Sequence, residues 1–162
     1  MRRLLNVGAG LLIAAAVPAT VLIESGTAGA TTPNQVTCTG LKGSETTQSL
    51  SKCSGPASIV GTKPGKGVAT SVANATAPAG YAEGSTTTWG KGGAGGTSTS
   101  GINYTIGGTT CGKKDLTVVE TSTVLSATGN ASILVGDTGT ATVCVSTAKG
   151  TVKLAKGSSI GG

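Results

Sequence analysis

The sequence predicts a small all-β protein, an antiparallel β-sandwich or open β-barrel, and three observations lead there. Thr, Ser, Gly and Ala dominate a chain of 162 residues with no Phe, one Trp and two Tyr. Val and Thr favour strands, while scattered Gly favours turns. Turn signals recur at roughly 8–12-residue spacing, as sandwiches and barrels show. Helical periodicity is absent after residue 30, so no helix is expected there.

The organising stretch runs from Leu116 to Ile160, where alternation, turns and a cysteine agree. It reads as four strands: Leu116–Ala127, Ala131–Val135, Thr140–Thr147 and Thr151–Ala155. The turns between them are Thr128–Asn130, Gly136–Gly139 and Lys149–Gly150. If Lys149–Gly150 is a two-residue loop, Val145 lies opposite Leu154 and Thr147 opposite Val152. A three-residue loop would set Val145 against Lys153 and flip the faces. Cys144 points away from Val143 and Val145 and should meet its partner on the opposite face.

Upstream, Thr37–Leu41 reads as a short strand, and Ala57–Val60, bounded by Pro56 and Gly61, as another. Pro64–Gly65 marks a type II turn. Gly67–Ala77, Ser85–Trp89 and Thr97–Ile106 are further strands. Gly90–Gly96 holds too many glycines for an element interior and reads as a flexible loop. Residues 31–50 and 157–162 are the other parts expected to be flexible. With 11 Val, 5 Ile and 6 Leu after residue 30, the core must be thin.

Residues 1–30 have the pattern of a secretory signal peptide: Arg2–Arg3, an apolar run from Leu11 to Ile23, and an A-x-A site ending at Ala30. Cleavage after Ala30 would leave residues 31–162 as one β-rich domain. Pro18 and Glu24 oppose an uncleaved anchor, and no later segment could span a membrane as a helix. Arg2–Arg3 leaves Sec and twin-arginine export both open.

Four cysteines, Cys38, Cys53, Cys111 and Cys144, then imply disulfides. Four cysteines allow three pairings. Cys38–Cys53 with Cys111–Cys144 is preferred because each closes a local loop, worth about 3 and nearly 4 kcal/mol respectively by loop entropy. Without His or a CxxC, a zinc site is not expected, and nothing implies a cofactor.

Beyond residue 30 the chain carries ten Lys, no Arg and five acids, a net +5. The lysines are dispersed and stacking aromatics are lacking, which argues against nucleic-acid binding. Weak attraction to anionic cell-wall or envelope components remains the physically allowed partner class.

The motifs with a chemical look are weak. Asp137–Thr138–Gly139 matches the aspartic-protease triplet, but one copy lacks the second carboxylate that chemistry needs, and a turn explains it. Gly90, Gly92 and Gly95 fit G-x-G-x-x-G, but the strand predicted after them is where a dinucleotide site needs a helix. Ser-His-Asp and Cys-His catalysis require a histidine the chain lacks. A Ser-Lys dyad is unmarked. Glu83 and Glu120 could be the two carboxylates of a glycosidase, but two dispersed acids in a chain are the ordinary case. Trp89 and Tyr104 are either core or a ligand-facing pair. Asn74, Asn103 and Asn130 head glycosylation sequons.

The leader, the Thr-Trp-Gly segment around Trp89 and the tail Val135–Gly157, with its Gly-Asp turn and a strand bearing a late Cys, resemble small Gly/Thr-rich secreted proteins of actinobacteria with paired cysteines. The resemblance implies export and a β fold and assigns no site residue. The expected function is an exported, non-catalytic structural or interaction module of the cell envelope or medium. The alternative is a β-barrel carrier of a small apolar ligand.

Overall fold

In the computed structural model the eight main strands pair antiparallel in sequence order, and the last of them returns to the first. The structure describes residues 36–63 and 65–161. The leader and its cleavage after Ala30 lie outside the described residues. The eight main strands are β1 (Thr37–Ser44), β2 (Thr47–Ser54), β3 (Gly67–Ala73), β4 (Glu83–Trp89), β5 (Gly96–Ile106), β6 (Leu116–Ala127), β7 (Thr138–Ser146) and β8 (Thr151–Leu154). β8 pairs β1 through Lys42–Lys153, Gly43–Val152 and Ser44–Thr151. The all-β antiparallel class holds, and the barrel is closed rather than open.

Closure removes the exposed edges that an open sheet must protect. An eight-stranded barrel is also just wide enough for side chains to fill. Ala, Ser, Thr and Val suffice here, so the interior tolerates the near-absence of aromatics. Leu41, Leu50, Ala69, Trp89, Val118, Val124, Ala141, Val143 and Val152 are buried in one core cluster.

Residues 36–50 are regular structure, not a flexible lead-in: they hold β1 and the start of β2, while residues 31–35 lie outside the described residues. In β2 (TQSLSKCS) the only large aliphatic is Leu50, so serines hide the alternation. A bulge adds to this. Leu50 and Cys53, three apart, are both buried, which strict alternation forbids. Between them Lys52 takes a left-handed φ of 54° and the β2–β3 register shifts, returning Cys53 inward.

Two predicted strands are helical instead. Ala57–Val60 is a single α-turn, α1, entered from Pro56 and buried through the adjacent Ile59 and Val60. A strand would bury only one of two neighbours; a helical turn can bury both. Gly129–Leu134 is a 3₁₀ turn that buries Ala131 and Leu134, three apart, while Ile133 and Val135 stay exposed. Short apolar runs do not separate helix from strand by periodicity. The turn predicted at Gly136–Gly139 therefore falls earlier, and Thr138 and Gly139 already belong to β7.

The Gly90–Gly96 segment is a tight connection with a 3₁₀ turn at Lys91–Gly93. Gly95 packs so closely on α1 that a Cβ there would overlap the Ile59 carbonyl. The Pro64–Gly65 turn is closed by Lys66 N–H donating to Lys63 O at 3.0 Å; Pro64 itself lies outside the described residues.

The last hairpin keeps the predicted faces but not the predicted register. Val145 opposes Val152 and Val143 opposes Leu154, a slip of two residues that preserves which side each faces. A two-residue loop at Lys149–Gly150 needs left-handed backbone at its first position, and type I′ at both. Only Gly150 supplies it, at φ 60°, so Thr147–Gly150 forms a four-residue loop. Beyond it, residues 157–161 are tied in: Ile160–Gly161 form a short strand, β9, pairing Cys38 and Thr37 of β1. β9 thus prolongs the edge that β8 leaves.

Candidate functional site

The meander gives the barrel two different ends. At the lower end, α1 and the two 3₁₀ turns bind one another: Asn130 Nδ2 donates to Ser58 O at 3.0 Å and Ala131 N–H to Gly95 O at 2.9 Å. With Ile59, Ala131 and Leu134 buried beneath them, that end is plugged. The Cys38–Cys53 disulfide joins β1 to β2 there.

The upper end carries the hairpin loops. The β5–β6 connection (107–115) folds against the outer face of the barrel. The Cys111–Cys144 disulfide pins it to β7, and Cys111 N–H donates to Thr117 Oγ1 at 3.1 Å. Asp115 pairs with Lys153 at 3.1 Å on the same outer side. Cys144 lies opposite Lys153 and Thr117, on the face away from the core valines.

Between the ends the interior holds a cavity of about 70 Å³, lined in its upper part by Gln48, Ser85, Ser100, Ile102, Glu120 and Ser122. Its lower wall includes Trp89 and Val124. Alternation aims these residues inward: Ser85 opposes Ser100, Ile102 opposes Ser122, and Glu120 opposes Tyr104. Trp89 is fixed by its indole N–H, which donates to buried Ser98 Oγ at 2.9 Å. Thr87 Oγ1 donates to Ser71 Oγ at 3.2 Å.

Glu120 is the ionisable group inside this space. Its pKa is raised to about 7, first by burial and then by the Glu83 carboxylate. Glu83 sits at the rim and is itself raised, by desolvation and then by Glu45 on the β1–β2 turn. The Tyr104 hydroxyl is also pushed up, by burial and by Glu83. Three carboxylates scattered along the sequence therefore share the upper end, a convergence that spacing alone does not reveal. The only advance signal was that Glu83 continues the inward parity of Ser85, Thr87 and Trp89.

Other sequence candidates are not brought together. Trp89 lies in the core opposite Gly96, while Tyr104 lies far up β5. Asp137 is buried where the second 3₁₀ turn enters β7, its N–H donating to Leu134 O and its carbonyl accepting from Val124 N–H. Gly139 follows it because a Cβ would overlap the Gly161 carbonyl of β9. After Gly90, Gly92 and Gly95 comes β5, not a helix. The sequon asparagines serve the fold: Thr86 Oγ1 donates to Asn74 Oδ1, and Ala82 N–H donates to Asn103 Oδ1. Among the described residues no set of three His, Cys, Asp or Glu could hold a metal ion, and no helix is long and apolar enough to cross a membrane.

No protein-family model matches the chain, and neither the curated proteins nor the solved structures contain a match to it.

Proposed function

We propose that the protein is an exported, non-catalytic structural or interaction module acting at the cell envelope or in the medium. The observation that carries this reading is a closed barrel, with only a small interior cavity, inside a doubly stapled shell. The barrel is closed by its own β1–β8 ladder, plugged below, and cross-linked twice. Such cross-links form and persist in oxidising compartments. The signal-peptide pattern of residues 1–30 and the resemblance to secreted actinobacterial proteins point the same way. A carrier of apolar ligands needs a pocket of several hundred Å³ with apolar walls. An interior space of about 70 Å³ is far smaller than that, which weighs against the alternative.

The experiment is expression of the full chain in an exporting bacterial host, followed by intact-mass analysis of medium and envelope fractions. The expected species begins at Thr31 and is four hydrogens lighter than its reduced form, matching two disulfides. Retention in the cytoplasm with an intact leader and four free thiols would overturn the proposal.

A further inference from the structure

Five polar side chains converge on one space inside the barrel: Gln48, Ser85, Ser100, Glu120 and Ser122 all line the cavity. Ser100 is the most enclosed of them, at only 9% exposed. Its neighbours across the ladders are Ser85 on one side and Val124 on the other. A few polar groups converging in a cavity beside apolar wall are what a small-ligand site presents.

The chemistry of the set selects the ligand. One carboxylate lines the cavity and no lysine does, so the complementary ligand carries one positive charge. Hydroxyls and an amide oxygen offer further acceptors at short range. Ile102 and Val124 supply apolar wall beside them. About 70 Å³ is roughly half the volume of a cavity that admits benzene, which restricts the ligand to a methyl- or ethyl-sized body.

We propose that the upper interior of the barrel is a binding site for a small primary ammonium ion, its nitrogen held by the Glu120 carboxylate and the Ser85, Ser100 and Ser122 hydroxyls. Glu83 and Glu45 above it present a negative field that favours entry of a cation. The site does not depend on where the protein is exported or what its outer surface meets.

Binding should follow the ionisation of Glu120. The titratable groups facing it are Glu83 from β4, with Glu45 beyond, and Tyr104 from β5. β2, β7 and β9 line the cavity with no titratable group. With Glu120 titrating at about 7, affinity for the cation falls about tenfold for each pH unit below that point.

The test is saturation-transfer NMR on the methyl protons of methylammonium chloride with the oxidised full chain. We expect a saturable signal at pH 8, its loss at pH 5, no signal from tetramethylammonium, and loss of the signal in Glu120→Gln. Ser100→Ala should weaken binding about fivefold, the value of one hydrogen bond. An equal signal from tetramethylammonium, an unchanged signal at pH 5 or in the Glu120→Gln variant, or no signal at pH 8 would each overturn the proposal. If Glu120→Gln does not fold, the pH series and the tetramethylammonium comparison on the unmodified protein decide.

Discussion

Glu120 on β6 lies inside the upper barrel and Glu83 on β4 at its rim; burial first, and then the charge of Glu83, raises the pKa of Glu120. Neither has a lysine against it: the one ion pair among the described residues, Asp115–Lys153, lies on the outer face. The inner carboxylate is thus isolated from the protein's own positive charge, and its protonation is tied to folding.

Stability should accordingly fall as pH rises from the unfolded carboxylate range near 4.5 to about 7, and then level off. Across that window the native state keeps the Glu120 proton while the unfolded chain has released it. The loss is on the order of 3 kcal/mol. Urea midpoints at pH 4.5, 6 and 8 measure it. Glu120→Gln should flatten most of the slope, leaving the smaller part that Glu83 contributes in the same direction.

The Trp89–Ser98 bond joins two groups that are 5% and 1% exposed. Ser98→Ala leaves the indole N–H buried without its acceptor, at a cost of about 1–3 kcal/mol. Trp89→Phe should cost at least as much, because it strands the serine hydroxyl and leaves space in the core. As the sole tryptophan, Trp89 should emit at short wavelength in the native protein and shift red on unfolding in urea, which gives the measurement its signal.

The two disulfides should differ in what their removal exposes. Loop entropy assigns about 3 kcal/mol to Cys38–Cys53 and nearly 4 to Cys111–Cys144. Replacing Cys111 and Cys144 by Ala should release the 107–115 connection first, so its amides should gain hydrogen-exchange rate ahead of the β-ladders. Replacing Cys38 and Cys53 instead loosens β1 and β2, and with them the closing ladder. Uniform acceleration in both variants would contradict this division.

Gly139→Ala tests the packing of β9. Its Cβ would overlap the Gly161 carbonyl, so β9 must shift away from β7, at about 1–3 kcal/mol. Loss of exchange protection at Ile160 and Gly161, with β7 itself retained, is the expected pattern.

Much of the barrel was legible in the sequence because β6 and β7 are rich in Val and Thr and turn residues punctuate them. What escaped has identifiable physical causes. β2 was hidden by serines that face both sides and by the bulge at Lys52. α1 and the 3₁₀ turn at Gly129–Leu134 look like strands in sequence because short, mostly apolar runs (Ala57–Val60 and Ala131–Val135) fit either period. The final register was missed by two residues because the apolar face is the same at either setting. The interior site was the least legible part. Glu120 looked like one more strand residue, and only closure of the sheet places Glu83 and Glu45 near it.

The central claim is a closed barrel, and the β1–β8 ladder tests it most directly. Cross-strand NOEs in the oxidised protein between Gly43 and Val152 and between Lys42 and Lys153 are predicted, with slow amide exchange along that seam. Their absence, with β1 and β8 amides exchanging as free edges while β2–β7 stay protected, would show an open sheet and contradict the account.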